Sequence, residues 1–309
     1  MPLSKNKKDK LKKQAAGASI SLAVVLCLLK GLGAYWSGSL AVLSSMIDSL
    51  SDIVASLITF IAIKISGRPA SCDYRYGYGK VEALSACAQA MFIAMSGAFI
   101  FYDAILRLIE HRILERSLIG LVIMGISLVL TILLVIFQHY VARVTKSQAI
   151  LADSKHYSVD ILTNMVVIVS LGAIYLWHIY WIDAVAALLA ALYLFYSAYD
   201  LSKSAVYLLM DRELPNNIRT KISKIVRSHP NKPELHDLRT RDLGGVYMFE
   251  FHLELDGDLS LTDAHEYTEE IEKMLLAVYP EAQIIIHQEP KGYAEERLDS
   301  KLTGLGCDI

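Results

Sequence analysis

The sequence predicts a six-helix α-helical transmembrane domain followed by a cytoplasmic α+β domain in the order αββαβ. Three observations carry this expectation. The 309 residues are 54% hydrophobic and only 20% charged, against roughly 25% charged in an average soluble chain. The apolar excess lies in the first two-thirds, in six runs near the ~20 residues that a helix needs to cross a hydrocarbon core. After Asp211 the pattern changes to short amphipathic elements. The charge changes sign at the same place. Residues 1–211 carry 18 Lys and Arg against 13 Asp and Glu, a net of +5, whereas residues 212–290 carry 9 against 15, a net of −6. The whole chain is only −2, which gives no basis for a nucleic-acid partner.

A basic segment, 1–13, opens the chain with six lysines. The six expected spans are 14–36, 40–63, 83–108, 117–141, 150–178 and 181–207, placed in a lipid bilayer. The first follows a lysine-rich segment, as in a signal peptide, but further apolar runs follow where a hydrophilic mature chain would be required, so it reads as a retained span. Ser117–Phe137 contains no charge, and Ile161–Ile182 has no Asp, Glu, Lys or Arg. Lys64, Arg68, Arg75 and Lys80 fall between the second and third spans, and Arg143 and Lys146 follow the fourth. With the N-terminal lysines these outweigh Arg107, Arg112 and Arg116 on the other side. Positive residues favour the cytoplasmic face, so both termini are expected there.

Beyond Asp211, Ile218, Ile222, Ile225 and Val226 recur at helical spacing over Pro215–Ser228. Glu234–Asp242 and Val246–Asp256 read as strands turned at Gly244-Gly245. Ser260 or Thr262 can cap a helix carrying Ala264, Tyr267, Ile271, Leu275 and Val278. Gln283–Gln288 reads as the last strand. The four cysteines, Cys27, Cys72, Cys87 and Cys307, have no paired spacing and build neither a disulfide framework nor a metal knuckle. Residues 291–309 read as a disordered tail.

Two concentrations of polar chemistry interrupt this plan. Asp48 and Asp52 are four residues apart and share one face of the second span, and His156 and Asp160 repeat the spacing in the fifth. Each Asp at a helix centre costs ~2.5–3.5 kcal/mol to insert. Such a set suits a divalent transition metal, with imidazole shifting the preference toward Zn or Fe. Helix-end interfacial residues, or carboxylates paired with Lys30, are the competing reading. The second concentration is histidine, five of the nine lying between His229 and His287. His236, His252, His265 and His287 fall on neighbouring strands and a helix, with Glu289 on the strand face of His287. They read either as a metal site or as surface residues. His229 reads as a helix-terminal residue, and His111, His139 and His178 as residues of the membrane interface. His265-Glu266 begins like a zinc-protease helix, but position 269 is Glu where a second His is required. There is no nucleophile elbow or phosphate-binding loop, and nothing points to an enzyme.

Taken in order, these residues resemble the cation diffusion facilitator (CDF) family, in its bacterial zinc- and ferrous-iron-efflux branch. The resemblance covers about residues 14–290. It rests on Asp48-x-x-x-Asp52, His156-x-x-x-Asp160, Ser39-Leu-Ala-Val-Leu-Ser-Ser-Met-Ile-Asp48, Tyr76-Gly-Tyr-Gly-Lys80-Val-Glu82, Leu209-Met-Asp211-Arg-Glu-Leu-Pro215, His236-Asp-Leu-Arg-Thr-Arg241 and Ile285-Ile-His287-Gln-Glu-Pro290. It implies a homodimer in the bacterial inner membrane that exports Zn2+ or Fe2+, with Cd2+ a further candidate, in exchange for protons and without an organic cofactor. It implies a transport site at Asp48, Asp52, His156 and Asp160, and a second metal site at His236, His252, His265, His287 and Glu289 in a metallochaperone-like cytoplasmic domain. Glu289 stands where the branch usually has Asp. Lys80 and Asp211 match a pair linking the membrane domain to the dimer interface. A loop site of the family falls on Ser71, Tyr74 and Tyr78, which are poor ligands, so that site is expected to be absent. The alternative is a membrane-anchored metal sensor that does not transport; no signalling module accompanies it.

Overall fold

The computed structural model describes residues 5–37, 40–110, 118–177, 181–231, 233–292 and 297–298. The chain divides into two compact units at Val206/Tyr207. Among the residues outside the described set are His111, His178, Arg112, Arg116, Cys307 and most of the tail.

The first unit is built on six long helices: α1 (Lys5–Ser37), α2 (Leu40–Ser66), α3 (Val81–Glu110), α4 (Leu118–Thr145), α5 (Gln148–Trp177) and α6 (Trp181–Leu209). The basic N-terminal residues from Lys5 onward continue into the first span as one helix, since no Gly or Pro interrupts Lys5–Ala16. Within α1, α2, α3, α4 and α6, segments starting at Asn6, Asp48, Val81, Val122 and Ala184 are each long and apolar enough to cross a membrane. The described part of α5 does not meet that measure. Asp153, Lys155 and Asp160 occupy its first half; Asp153, Ser154 and His156 are buried, whereas Lys155 pairs with the half-exposed Asp200. The interior is rich in alanine, with a few large side chains such as Ile93, Tyr157 and Leu194 among them. Ala15, Ala16, Ala142 and Ala149 pack with Ile63, Val141 and Ile150 where α1, α2, α4 and α5 meet, whereas Leu28, Met91, Tyr102, Leu133, Ile136, Leu189 and Tyr196 lie on the outside. Small residues inside and large apolar residues outside is the arrangement of helices that associate in lipid. At Gly97 an added Cβ would stand 3.2 Å from Leu194 Cβ, so glycine there permits the close approach of α3 to α6.

The second unit contains α7 (Asn216–Arg227), β1 (Glu234–Asp242), β2 (Tyr247–Leu255), α8 (Leu261–Val278) and β3 (Gln283–Pro290), the expected αββαβ order. The sheet runs β1-β2-β3, antiparallel in the first pair and parallel in the second. Gly244 and Gly245 turn the hairpin with φ of +93° and +98°, and Ser260 caps α8 by accepting from the Asp263 backbone N–H. Ile222, Val226, Phe249, Phe251, Leu253, Ile271 and Leu275 form the core between the helices and one sheet face. His229, expected as a helix-terminal residue, is buried against the Tyr267 ring at 4.5 Å between centroids and paired with Glu270 at 3.0 Å. Within the tail, Arg297 pairs with Glu254, and the Leu298 N–H donates to Asp237 Oδ2 at 2.8 Å.

Candidate metal centres

In the membrane unit, α2 presents Asp52 and α5 presents His156 and Asp160 so that one ligand atom from each lies within 4.8 Å of the others. His156 Nε2 is 3.2 Å from Asp52 Oδ1. The imidazole is 4% exposed, and its Nδ1 has no hydrogen-bond partner among the described residues. Asp48 is one turn from Asp52 on the wall of the same cavity, which is about 400 Å³, but is not one of the three that converge. Lys30, the sequence-level rival partner, donates to Ser49 Oγ at 2.8 Å. Two carboxylates and an imidazole at this spacing, with Asp48 at hand, form a donor set that fits a divalent transition metal better than an alkaline-earth ion.

Sequence reasoning missed other polar groups on this cavity. Asp103 of α3 lines it, with Ser51, Ser96, Thr163 and Asn164. The available signal was a lone acidic residue seven positions beyond Ser96 in a mostly apolar helix. His139, expected at the membrane interface, is part-buried with Nδ1 2.6 Å from Ser154 Oγ.

In the second unit the sheet register assembles the site. His236 pairs with His252 across β1 and β2, and His252 with His287 across β2 and β3. All three therefore share the face opposite the core. A β-bulge follows His236, where Asp237 adopts φ +53°, which lets β1 turn Leu238 back into the core. Glu289, two residues beyond His287, is buried and faces several rings at once. His252 Nδ1 is 2.5 Å from its Oε1, His236 Nε2 is 3.2 Å from Oε2, and His287 Nε2 is 3.6 Å from Oε1. Its Oε1 thus faces His252 and His287 while its Oε2 faces His236. His236 Nδ1 is buried without a hydrogen-bond partner among the described residues, with Glu254 Oε1 3.7 Å away. Of these, His236, His252 and Glu289 each bring one ligand atom within 4.8 Å of the others and could hold a metal ion. Glu254 and its partner Arg297 were not singled out from sequence.

His265 does not join them in this chain. It lies on α8, 68% exposed, with Nε2 3.6 Å from Glu269 of its own helix. Lys273, hydrogen-bonded to Glu269 at 2.8 Å, holds that carboxyl below the usual range. At the α2–α3 connection, Ser71, Tyr74 and Tyr78 do come together. Ser71 Oγ is 3.0 Å from the Tyr78 hydroxyl, and the two tyrosine rings are 4.7 Å apart. Hydroxyls and rings hold this turn, and no imidazole is present in it.

The family model for the cation efflux transmembrane domain matches residues 17–210, and that for the cation efflux protein cytoplasmic domain matches residues 214–291. The cation-efflux pump FieF of Citrobacter koseri is 40% identical over 282 residues, covering 91% of this chain and 93% of its own. Its counterpart from Klebsiella pneumoniae is 39% identical over the same shares. Among solved structures, the metal-bound C-terminal domain of the CzcD transporter from Thermotoga maritima is 34% identical and covers 26% of this chain and 93% of its own, with a TM-score of 0.25.

Proposed function

This chain belongs to the cation efflux family, and from that premise we propose that it is a proton-coupled antiporter exporting Zn2+ or Fe2+, with Cd2+ a further candidate, from the bacterial cytoplasm across the inner membrane. The observation that carries the proposal is the convergence of Asp52, His156 and Asp160 on a cavity between membrane-spanning helices. Asp48 completes the cargo site from the cavity wall. Carboxylates and a neutral imidazole bind a divalent ion only when deprotonated, so protons arriving at His156 and a carboxylate expel it. Exposing the site alternately to the two sides then converts a proton gradient into metal export.

The basic residues flanking α1, α2 and α4 support placing both termini in the cytoplasm, with residues 14–211 as the transport domain and 212–290 as a cytoplasmic metal-binding domain. We read the protein as a homodimer in which His236, His252, His287 and Glu289 sense metal load, with His265 recruited on assembly. A net charge of −6 on each 212–290 domain opposes pairing until cations neutralise it. In proteoliposomes carrying a metal-sensitive dye, Zn2+ flux should follow an imposed pH gradient and should vanish in Asp52→Ala. Flux indifferent to the gradient would remove the antiport reading, and wild-type flux in Asp52→Ala would remove the site. A sensor that does not transport would show no flux in either protein.

A further inference from the structure

Asp153 lies one helical turn before His156 on α5 and is fully buried. A carboxylate at that depth is costly unless its oxygens are hydrogen-bonded, and here the donors come from separate helices. Ser19 of α1 donates to Oδ2 at 2.6 Å, Gln138 of α4 donates to Oδ2 at 2.6 Å, and Gln89 of α3 reaches Oδ1 at 3.4 Å. Ser19 also bonds Ser56 of α2 at 2.8 Å, and Ser56 bonds the Tyr157 hydroxyl at 2.8 Å. Gln89 additionally donates to the Ala55 carbonyl at 2.9 Å and to Thr59 Oγ1 at 3.0 Å. Asp153 thereby ties four helices directly, and the network reaches α2 through Ser19 and Gln89.

These residues form a layer on one side of the cavity. On α2 the cavity wall ends at Asp52 and the layer begins at Ala55; on α3 the wall begins at Phe92 and the layer lies before it at Gln89; on α5 the wall begins at His156 and the layer lies before it at Asp153. No hydrogen-bonding side chain of the layer lines the cavity. Farther in the same direction, buried Glu82 takes Lys12 at 2.7 Å, Ser66 at 3.0 Å and Ser147 at 2.5 Å, at the α2–α3 and α4–α5 connections.

We propose that the Asp153 layer is the closure that seals the transport cavity from the side of the α2–α3 and α4–α5 connections, with Asp153 as its positioning residue. The inference rests on the transport reading of the cavity. Exposing Asp52, His156 and Asp160 to that side requires the five helices to part at this layer. The layer is tight but incompletely satisfied. Gln89 Oε1 and Gln138 Oε1 are buried without hydrogen-bond partners among the described residues, because both amides turn their nitrogens toward Asp153. An orphaned buried acceptor is unfavourable, and that cost is recovered when water enters. The closed arrangement is therefore specific in geometry and not prohibitive to open, as a two-state element requires.

The test is the sidedness of access in the full-length protein. In a background lacking native cysteines, Ser96→Cys places a thiol on the cavity wall, and a membrane-impermeant thiol reagent is applied from each face of oriented vesicles. The parent should be labelled from the face where α3 ends. Asp153→Ala should raise labelling from the opposite face about tenfold, as expected for losing bonds worth roughly 1.4 kcal/mol. Asp153→Asn should restore the parent pattern, since its oxygen still accepts from Ser19 and its amide can serve a turned Gln138 carbonyl. If Asp153→Ala fails to fold, Gln138→Ala and Ser19→Ala each remove one bond and should shift labelling in the same direction. Parent-like sidedness in the folded variants, or identical behaviour of Ala and Asn at 153, overturns the proposal. Labelling needs no flux, so a parent that does not transport defeats the transport reading while this measurement still decides whether the layer closes the cavity.

Discussion

The two histidine–carboxylate clusters use similar ligands on opposite mechanical supports. In the membrane unit, Asp52 stands on α2 and His156 and Asp160 on α5, helices whose backbones are each satisfied internally and so can shift against each other without losing a backbone bond. In the second unit, His236, His252 and His287 face one another at one register position across three hydrogen-bonded strands, and changing their spacing would break the ladder. A cluster carried between helices can assemble and come apart within a cycle, whereas one carried by sheet register holds its geometry. The first support suits cargo and the second suits a resident ion. Asp52→Ala should therefore give the largest effect on transport, a fall in Zn2+ flux of about 100-fold or more, beyond the 10–100-fold typical of losing a group behind a ligand. The same variant should keep the rise in melting temperature that Zn2+ produces through the sheet cluster. Loss of both in a folded protein would mean that the clusters are not separable.

His252→Ala reverses the comparison. Binding at 100 times the dissociation constant stabilises a protein by ~2.7 kcal/mol, and this increment should disappear from the full-length melting curve, as it should from the parent on chelation of metal. Flux at high metal should fall by about fivefold, the low end of ordinary coupling between sites. Unchanged flux with the increment lost would leave a binding site and remove its sensing role. His265→Ala comes next in size. In the single chain His265 faces Glu269 and stands apart from the cluster; if assembly carries it into the site, its loss should remove part of the metal-dependent stabilisation, less than His252→Ala removes. A cost under ~1 kcal/mol, the scale of one exposed pair, would show that assembly leaves His265 outside the site.

What could be read from the chain divides along the same line as the supports. The i, i+4 pairs were legible because both partners lie on one helix, where spacing alone dictates a shared face. The strand histidines were legible through alternation, but their alignment was not: the hairpin at Gly244-Gly245 alone would set His236 opposite Leu253, the bulge after His236 moves it opposite His252, and His287 comes in on the parallel strand β3. The groups that stayed hidden depend on contacts between distant segments. Ser19, Gln89 and Gln138 look like ordinary polar residues of separate spans until packing brings them to Asp153. Asp103 offers no partner at helical spacing, and Glu254 gains its meaning only when Arg297 returns to it. The bulge at Asp237 is a backbone event, and nothing in the local pattern announces it. His265 shows the converse, since its ligand role was inferred by resemblance and within the single chain it lies on a helix surface beside Glu269.

The α2–α3 connection supplies the smallest expected effect, and it tests whether proximity without suitable ligands is enough. Ser71 and Tyr78 touch and the Tyr74 ring packs on that of Tyr78, but the Ser71–Tyr78 contact is a neutral hydrogen bond at an exposed turn. Tyr78→Phe removes that bond and keeps the ring packed on Tyr74, so it should cost at most ~1 kcal/mol, the net worth of one such bond. Zn2+ bound per chain, measured by equilibrium dialysis, should be unchanged, as should flux. The combined change Ser71→Asp, Tyr74→His and Tyr78→His supplies a carboxylate and two imidazoles on the same turn and should add one Zn2+ per chain. If Tyr78→Phe instead lowers the metal count, the turn already binds a cation and the chain holds a third centre. If the triple change adds none, the turn holds its side chains in an arrangement that cannot close around an ion, and it differs from the two clusters in backbone geometry as well as in chemistry.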